Sequence, residues 1–119
     1  MNMINMGSIT MGNFEHISVE QAKAMMATKK VAVVDIRDES MFNLAHIPNS
    51  LHLHGGVMTQ FMQETDEDTP VIVTCYHGVS SQPAAQYITE QGYTNVYSLD
   101  GGFTQWQSTY PEDIATITE

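Results

Sequence analysis

Val71-Ile72-Val73-Thr74-Cys75-Tyr76-His77-Gly78-Val79-Ser80-Ser81 joins an apolar, β-prone run to a polar loop containing one glycine, and helical spacing follows from Ser81 to Gln91. A short run without alternation reads as a strand covered on both faces. Pro83 falls in the first turn of the helix, where a missing N–H is tolerated, and Gly92 stands at its stop. The stretch predicts a strand, loop and helix of a parallel sheet, with the chain's only cysteine at the strand's carboxyl end.

The pattern repeats on either side. Phe14 to Ile17 alternates as a short edge strand, and Ser18 with Glu20-Gln21 caps a helix reaching Met26 or Ala27. Val31 to Ile36 is a second buried run, followed by a short helix over Glu39 to Leu44. His46-Ile47-Pro48 reads as a turn, Ser50 to His54 as a strand broken by Gly55-Gly56, and Val57 to Thr65 as a helix. Asn95 to Leu99 is the last strand, and Phe103 to Gln107 the last helix. Strands alternating with helices over short connections predict a single α/β domain with a central, mainly parallel five-stranded sheet and helices on both faces. The domain is expected over residues 14–115, preceded by a leader over residues 1–13 and followed by a frayed tail over 116–119.

Four basic residues face fourteen acidic ones, a net charge of -10, and no basic cluster exists to displace phosphate counterions. Nucleic acid is therefore not an expected partner, nor is an anionic membrane surface. No apolar run approaches the roughly 20 residues of a membrane span, and the amino end lacks the layout of a secretory signal. A single cysteine forms no internal disulfide, so a reducing, cytoplasmic setting is expected.

Ligands of open parallel sheets bind at the carboxyl ends of the strands, where Cys75 stands. A loop over residues 76–81 can turn backbone N–H groups onto the sulfur, and the helix beginning near Ser80-Ser81 adds its positive end. Both favour the thiolate, which is the nucleophile. Gly78 supplies backbone freedom, and Ser80 and Ser81 supply hydroxyl donors. The competing reading is a small core cysteine, but a polar loop follows in place of more core. His77 reads equally as a partial cation or as a solvated side chain. Asp35 and Arg37, two apart at a strand end, point to one side and read as a structural ion pair. His46 reads as the anchor of its turn. His52 and His54 share a strand face with no third ligand in view, so no metal is expected. Gly101-Gly102 reads as turn chemistry, and Phe103 and Trp106 as core.

The loop from Cys75 to Ser81 resembles the active-site loop of rhodanese sulfurtransferases. Val34-Asp35-Ile36-Arg37-Asp38 with Phe42 and His46-Ile47-Pro48, and Gly101-Gly102-Phe103 with Trp106, match the same family in order. The resemblance covers about Phe14 to Pro111, and Cys75-Tyr76-His77-Gly78 with Gln86-Tyr87 to Trp106 is similar to the single-domain GlpE-type thiosulfate sulfurtransferases. It implies a rhodanese-like domain and ping-pong chemistry: Cys75 attacks the sulfane sulfur of thiosulfate, expels sulfite and carries a persulfide. The donor is then held by Tyr76, His77, Gly78, Val79, Ser80 and Ser81, with Asp35 and Arg37 bracing the loop. The implied partners are thiosulfate or another persulfide donor, with cyanide, thioredoxin or a small thiol as acceptor. No metal or organic cofactor is implied.

This chain also departs from the family. Residues 76–82 lack the Arg or Lys that many members place beside the loop. Val79 and Gln82 stand where the GlpE-type pattern commonly has Asn and Lys. Losing charged contacts in an acidic protein predicts weak thiosulfate binding, which leaves a persulfide carrier between proteins as the alternative. Cdc25-like phosphatases and arsenate reductases share the fold, but close a longer loop with an arginine where this chain has Ser81 and Gln82. Rhodanese-like docking modules often lack the cysteine that this chain keeps.

Overall fold

Residues 12–117 are described by the structure, a computed structural model. Of the expected leader, residues 1–11 lie outside the described residues, as do 118 and 119 of the expected tail.

The elements run β1 (Glu15–Ile17), α1 (Val19–Thr28), β2 (Ala32–Asp35), α2 (Glu39–Leu44), β3 (Leu51–His52), α3 (Gly55–Glu64), β4 (Val71–Thr74), α4 (Ser81–Glu90), β5 (Val96–Leu99) and α5 (Gly102–Thr109). They build one five-stranded sheet in the order β1-β5-β4-β2-β3. Every neighbouring pair is parallel, so the sheet is wholly rather than mainly parallel.

The apolar runs behave as strands buried on both sides. Val33 and Ile72 pack on one face with Val19 and Ala22 of α1 and with Phe103 and Trp106 of α5. Their neighbours Val34, Val71 and Val73 turn to the other face, against Phe61 of α3 and Ala85 and Ile88 of α4. Each strand residue thus serves one of two cores, which is why the runs show no polar alternation.

Two local readings are corrected. Gly55 and Gly56 do not break a strand; they form the first turn of α3, because His54 acts as its N-cap and its Nδ1 accepts the Gly56 N–H at 3.1 Å. The strand expected over Ser50 to His54 is limited to Leu51–His52. Among the described residues it is an edge strand paired with β2 alone, and the chain leaves after Leu53 donates to the Asp35 carbonyl at 2.8 Å. At α1, Ser18 and Gln21 form the reciprocal capping box, each bond 3.0 Å.

Beyond α5 the chain returns across α2. His46 and Ala115 exchange backbone hydrogen bonds of 2.9 and 2.8 Å, and the Ile117 N–H donates to the Asn43 carbonyl at 2.9 Å. Among the described residues no helix is long and apolar enough to cross a membrane.

Candidate active site

β2 leads toward β3 on one side of the sheet, whereas β4 leads toward β5 on the other. The connections leaving their adjacent carboxyl ends therefore diverge and open a crevice, the switch point where parallel sheets bind ligands. Arg37, just after β2, and Tyr76, just after Cys75, both line a cleft there, together with Met41, Ala45 and Phe103.

Cys75 follows β4 directly and is 3% exposed. Its Sγ accepts the N–H of Gly78 at 3.1 Å and of Ser81 at 3.2 Å, and lies 3.3 Å from Ser81 Oγ. Ser80, the N-cap of α4, makes no side-chain capping bond. One of the first-turn N–H groups that a helix leaves unpaired thus falls to the sulfur itself.

The loop is seated by close packing between backbones. The N–H groups of Phe103 and Thr104, in the first turn of α5, donate to the carbonyls of Cys75 and Tyr76 at 2.8 and 3.1 Å. A Cβ on Gly102 would stand 2.5 Å from the Cys75 carbonyl oxygen, and one on Gly78 would stand 2.8 Å from the Gly101 nitrogen. Only glycine admits this approach at either position, and both have positive φ. Gln82 Nε2 donates to the Gly78 carbonyl at 2.8 Å, and the Tyr76 hydroxyl to Asp38 Oδ2 at 3.3 Å. These bonds hold the loop in place.

Burial pushes the Cys75 thiol up, but hydrogen bonds from the Ser81 hydroxyl and from the amides of Ser81, Gly78 and His77 together outweigh it. The net result is a thiol below its ordinary range, biased toward thiolate. The donors on the sulfur are neutral groups, and none of the four basic side chains bonds it, although the Arg37 guanidinium stands 5.7 Å from the Tyr76 ring and 4.2 Å from the Phe103 ring. Lys23 pairs with Asp113. Lys29 and Lys30 precede β2, at the opposite end of the parallel sheet. Arg37 is locked: its Nε and Nη2 meet the Asp35 carboxylate at 2.9 to 3.1 Å, and Nη2 also donates to the Ala45 carbonyl at 2.6 Å. Both side chains of that pair are almost fully buried.

The amides of Gly78 and Ser81 turn onto the sulfur, whereas the side chains of His77, Val79 and Ser80 face outward, Val79 being 70% exposed. His46 Nδ1 bonds the Phe42 carbonyl at 2.6 Å, and His52 Nε2 bonds the Arg37 carbonyl at 2.6 Å. His54 is used as a helix cap, and among the described residues no group of three His, Cys, Asp or Glu side chains is placed to hold a metal ion. Sequence reasoning missed Ser98, which is buried on β5 with its Oγ 2.7 Å from Ser81 Oγ. A serine within a strand gives no local signal of that role. The grip of α5 on the loop was missed as well, although Gly101-Gly102 marked the place.

A family model of the rhodanese-like domain matches residues 18–109. The chain is 53% identical over 96 residues to the thiosulfate sulfurtransferase GlpE of Vibrio cholerae, covering 81% of this chain and 91% of that one. It is 48% identical over 101 residues to the protein of the same name from Tolumonas auensis, covering 85% and 95%. A rhodanese-like domain protein from Staphylococcus aureus superposes with a TM-score of 0.74 at 19% identity, over 88% of this chain and 100% of that one.

Proposed function

The chain belongs to the rhodanese-like domain family and is a sulfurtransferase, and from that premise we propose that it takes sulfane sulfur from thiosulfate through a persulfide on Cys75. The observation that carries this reading is the set of groups on one buried sulfur: two amides donate to it and a hydroxyl oxygen lies 3.3 Å away, with no basic side chain among them.

The first half-reaction is a displacement at sulfur. The Cys75 thiolate bonds to the outer sulfur of thiosulfate, and the bond between that sulfur and the sulfonate sulfur breaks, its electron pair leaving with sulfite. Charge is conserved: a thiolate and a dianion give a persulfide anion and sulfite dianion. Cyanide or a thiol then attacks the outer persulfur, and Cys75 departs as thiolate. Donors aimed at its sulfur stabilise it both as nucleophile and as leaving group. The N-terminal end of α4 contributes in the same sense.

A second reading, a persulfide carrier between proteins with little thiosulfate turnover, is favoured by the lock on Arg37 and by Val79. The chain's one arginine commits Nε and Nη2 to Asp35 and Ala45, which leaves fewer charged donors for a dianion than an unpaired arginine would offer. An exposed valine on the loop suits contact with a protein surface better than with an oxyanion. Thioredoxin or another dithiol protein is the acceptor consistent with a reducing compartment.

Intact-protein mass separates these readings. After incubation with thiosulfate, the wild type gains about 32 Da, one sulfur, which cyanide removes, and Cys75→Ser gains nothing. A gain only from a persulfide donor selects the carrier. No gain from any donor refutes both.

A further inference from the structure

Ser98 has no exposed surface, and its Oγ has one side-chain partner among the described residues, Ser81 Oγ at 2.7 Å. Ser81 is equally buried, and its Oγ is 3.3 Å from the Cys75 sulfur. The three atoms form a chain from β5 through the first residue of α4 to the sulfur. A hydroxyl has one proton to give, so the chain has two polarities. With a neutral thiol, S–H donates to Ser81 and Ser81 donates to Ser98, which leaves the Ser98 proton without an acceptor among the described residues in a buried site. With a thiolate, Ser98 donates to Ser81 and Ser81 donates to the sulfur, so both protons are used. A buried, unused donor costs free energy, and the second polarity avoids it.

We propose that Ser98 is a positioning residue for sulfur transfer: its hydroxyl donates to Ser81 Oγ and turns the Ser81 O–H onto the Cys75 sulfur. The link to transfer rests on the persulfide reading above; the hydrogen-bond chain does not. Ser98 touches neither donor nor acceptor. It acts on the atom that is thiolate twice in the cycle, before attack and on departure. The charged and titratable groups on the surrounding elements are Tyr76 and His77 of the loop, Asp35 at the end of β2 with its partner Arg37, Asp38 beside Tyr76, Tyr97 of β5, Tyr87 and Glu90 of α4, Glu15 of β1, and the His16–Asp100 pair at β1 and β5. All remain when Ser98 is changed, so a difference between variants isolates the hydroxyl.

The test is the pH profile of Cys75 alkylation by iodoacetamide in wild type, Ser98→Ala, Ser98→Thr, Ser81→Ala and the Ser81→Ala/Ser98→Ala double variant. Ser98→Ala is expected to raise the midpoint by roughly half to one pH unit. Ser98→Thr, which keeps the hydroxyl, is expected to stay with wild type. In the Ser81→Ala background, loss of Ser98 adds nothing, because its effect runs through Ser81. A Ser98→Ala midpoint equal to wild type overturns the proposal. So does a shift that persists without Ser81, or one that Ser98→Thr shares, since either marks a packing effect. Alkylation needs no sulfur donor, so these outcomes are distinct from a failed mass gain in wild type, which overturns the transfer reading alone.

Discussion

Replacing Gly102 by alanine tests whether the loop is held by the approach of α5. The added Cβ would stand 2.5 Å from the Cys75 carbonyl oxygen and 2.6 Å from both the carbonyl carbon and oxygen of Tyr76. All three are backbone atoms, so no rotamer change relieves them. Ordinary contact begins near 3.4 Å, so α5 and the loop must part by about 0.9 Å. That separation strains the bonds from Phe103 and Thr104 to the loop, now 2.8 and 3.1 Å. Gly102 has φ 60, a conformation costing an L-residue about 1–2 kcal/mol. Overpacking adds about 1–3 kcal/mol, and a stiffer unfolded chain returns about 0.5–1 kcal/mol. The expected loss is about 3 kcal/mol, a fall of roughly 2 M in the urea midpoint at a slope of about 1.5 kcal/mol/M. Persulfide formation should slow with it, because the loop that moves carries the sulfur. The matched control is Gly55→Ala at the start of α3, whose Cβ would meet nothing within 4 Å and which should keep or slightly raise stability. A Gly102→Ala protein within about 0.5 kcal/mol of wild type would refute the reasoning.

Gln82→Lys should lower the KM for thiosulfate, because the side chain at 82 already reaches the Gly78 carbonyl and a lysine can keep that bond while adding a charge beside the loop. An unchanged KM in steady-state assays would show that the missing cation does not limit donor binding. Arg37→Gln should cost about 3–5 kcal/mol in urea unfolding, since it strands the fully buried Asp35 carboxylate. Unchanged stability with a raised KM would instead place Arg37 on the donor.

The fold was legible because each apolar run has its own length and boundary. Val31 to Ile36 and Val71 to Thr74 carry no alternation, and only strands with helices on both faces need none. The limits of β3 were not legible. Ser50 to His54 alternates well enough for a longer strand, but pairing there depends on one neighbour and on a histidine that caps the next helix instead. At the site, Cys75, Gly78 and Ser81 could be found because they are adjacent in sequence and their roles follow from a strand meeting a helix. Ser98 lies 17 residues from Ser81, and its bond exists only because β5 pairs beside β4. The same holds for Gly102, whose turn chemistry was visible but whose reason, a carbonyl 27 positions upstream, was not.

The sulfur is also part of the fold. α4 begins without a capping side chain, and the acceptor at its first turn is Cys75 Sγ. A thiolate is the better acceptor, so the amides on Cys75 Sγ bind it more tightly when it is charged. The sign follows from the lowered thiol pKa. The stabilisation is fully present above the ordinary thiol value of the unfolded chain and is lost as pH falls through the lowered native value. In the proposed persulfide mechanism reactivity rises with pH across the same window, because it needs the same proton removed. Folding and chemistry therefore do not compete here. The helix end left uncapped by its own residues is completed by Cys75 Sγ, so Cys75→Ser, which retains an acceptor there, should lose less stability in urea unfolding than Cys75→Ala, and equal losses would refute this.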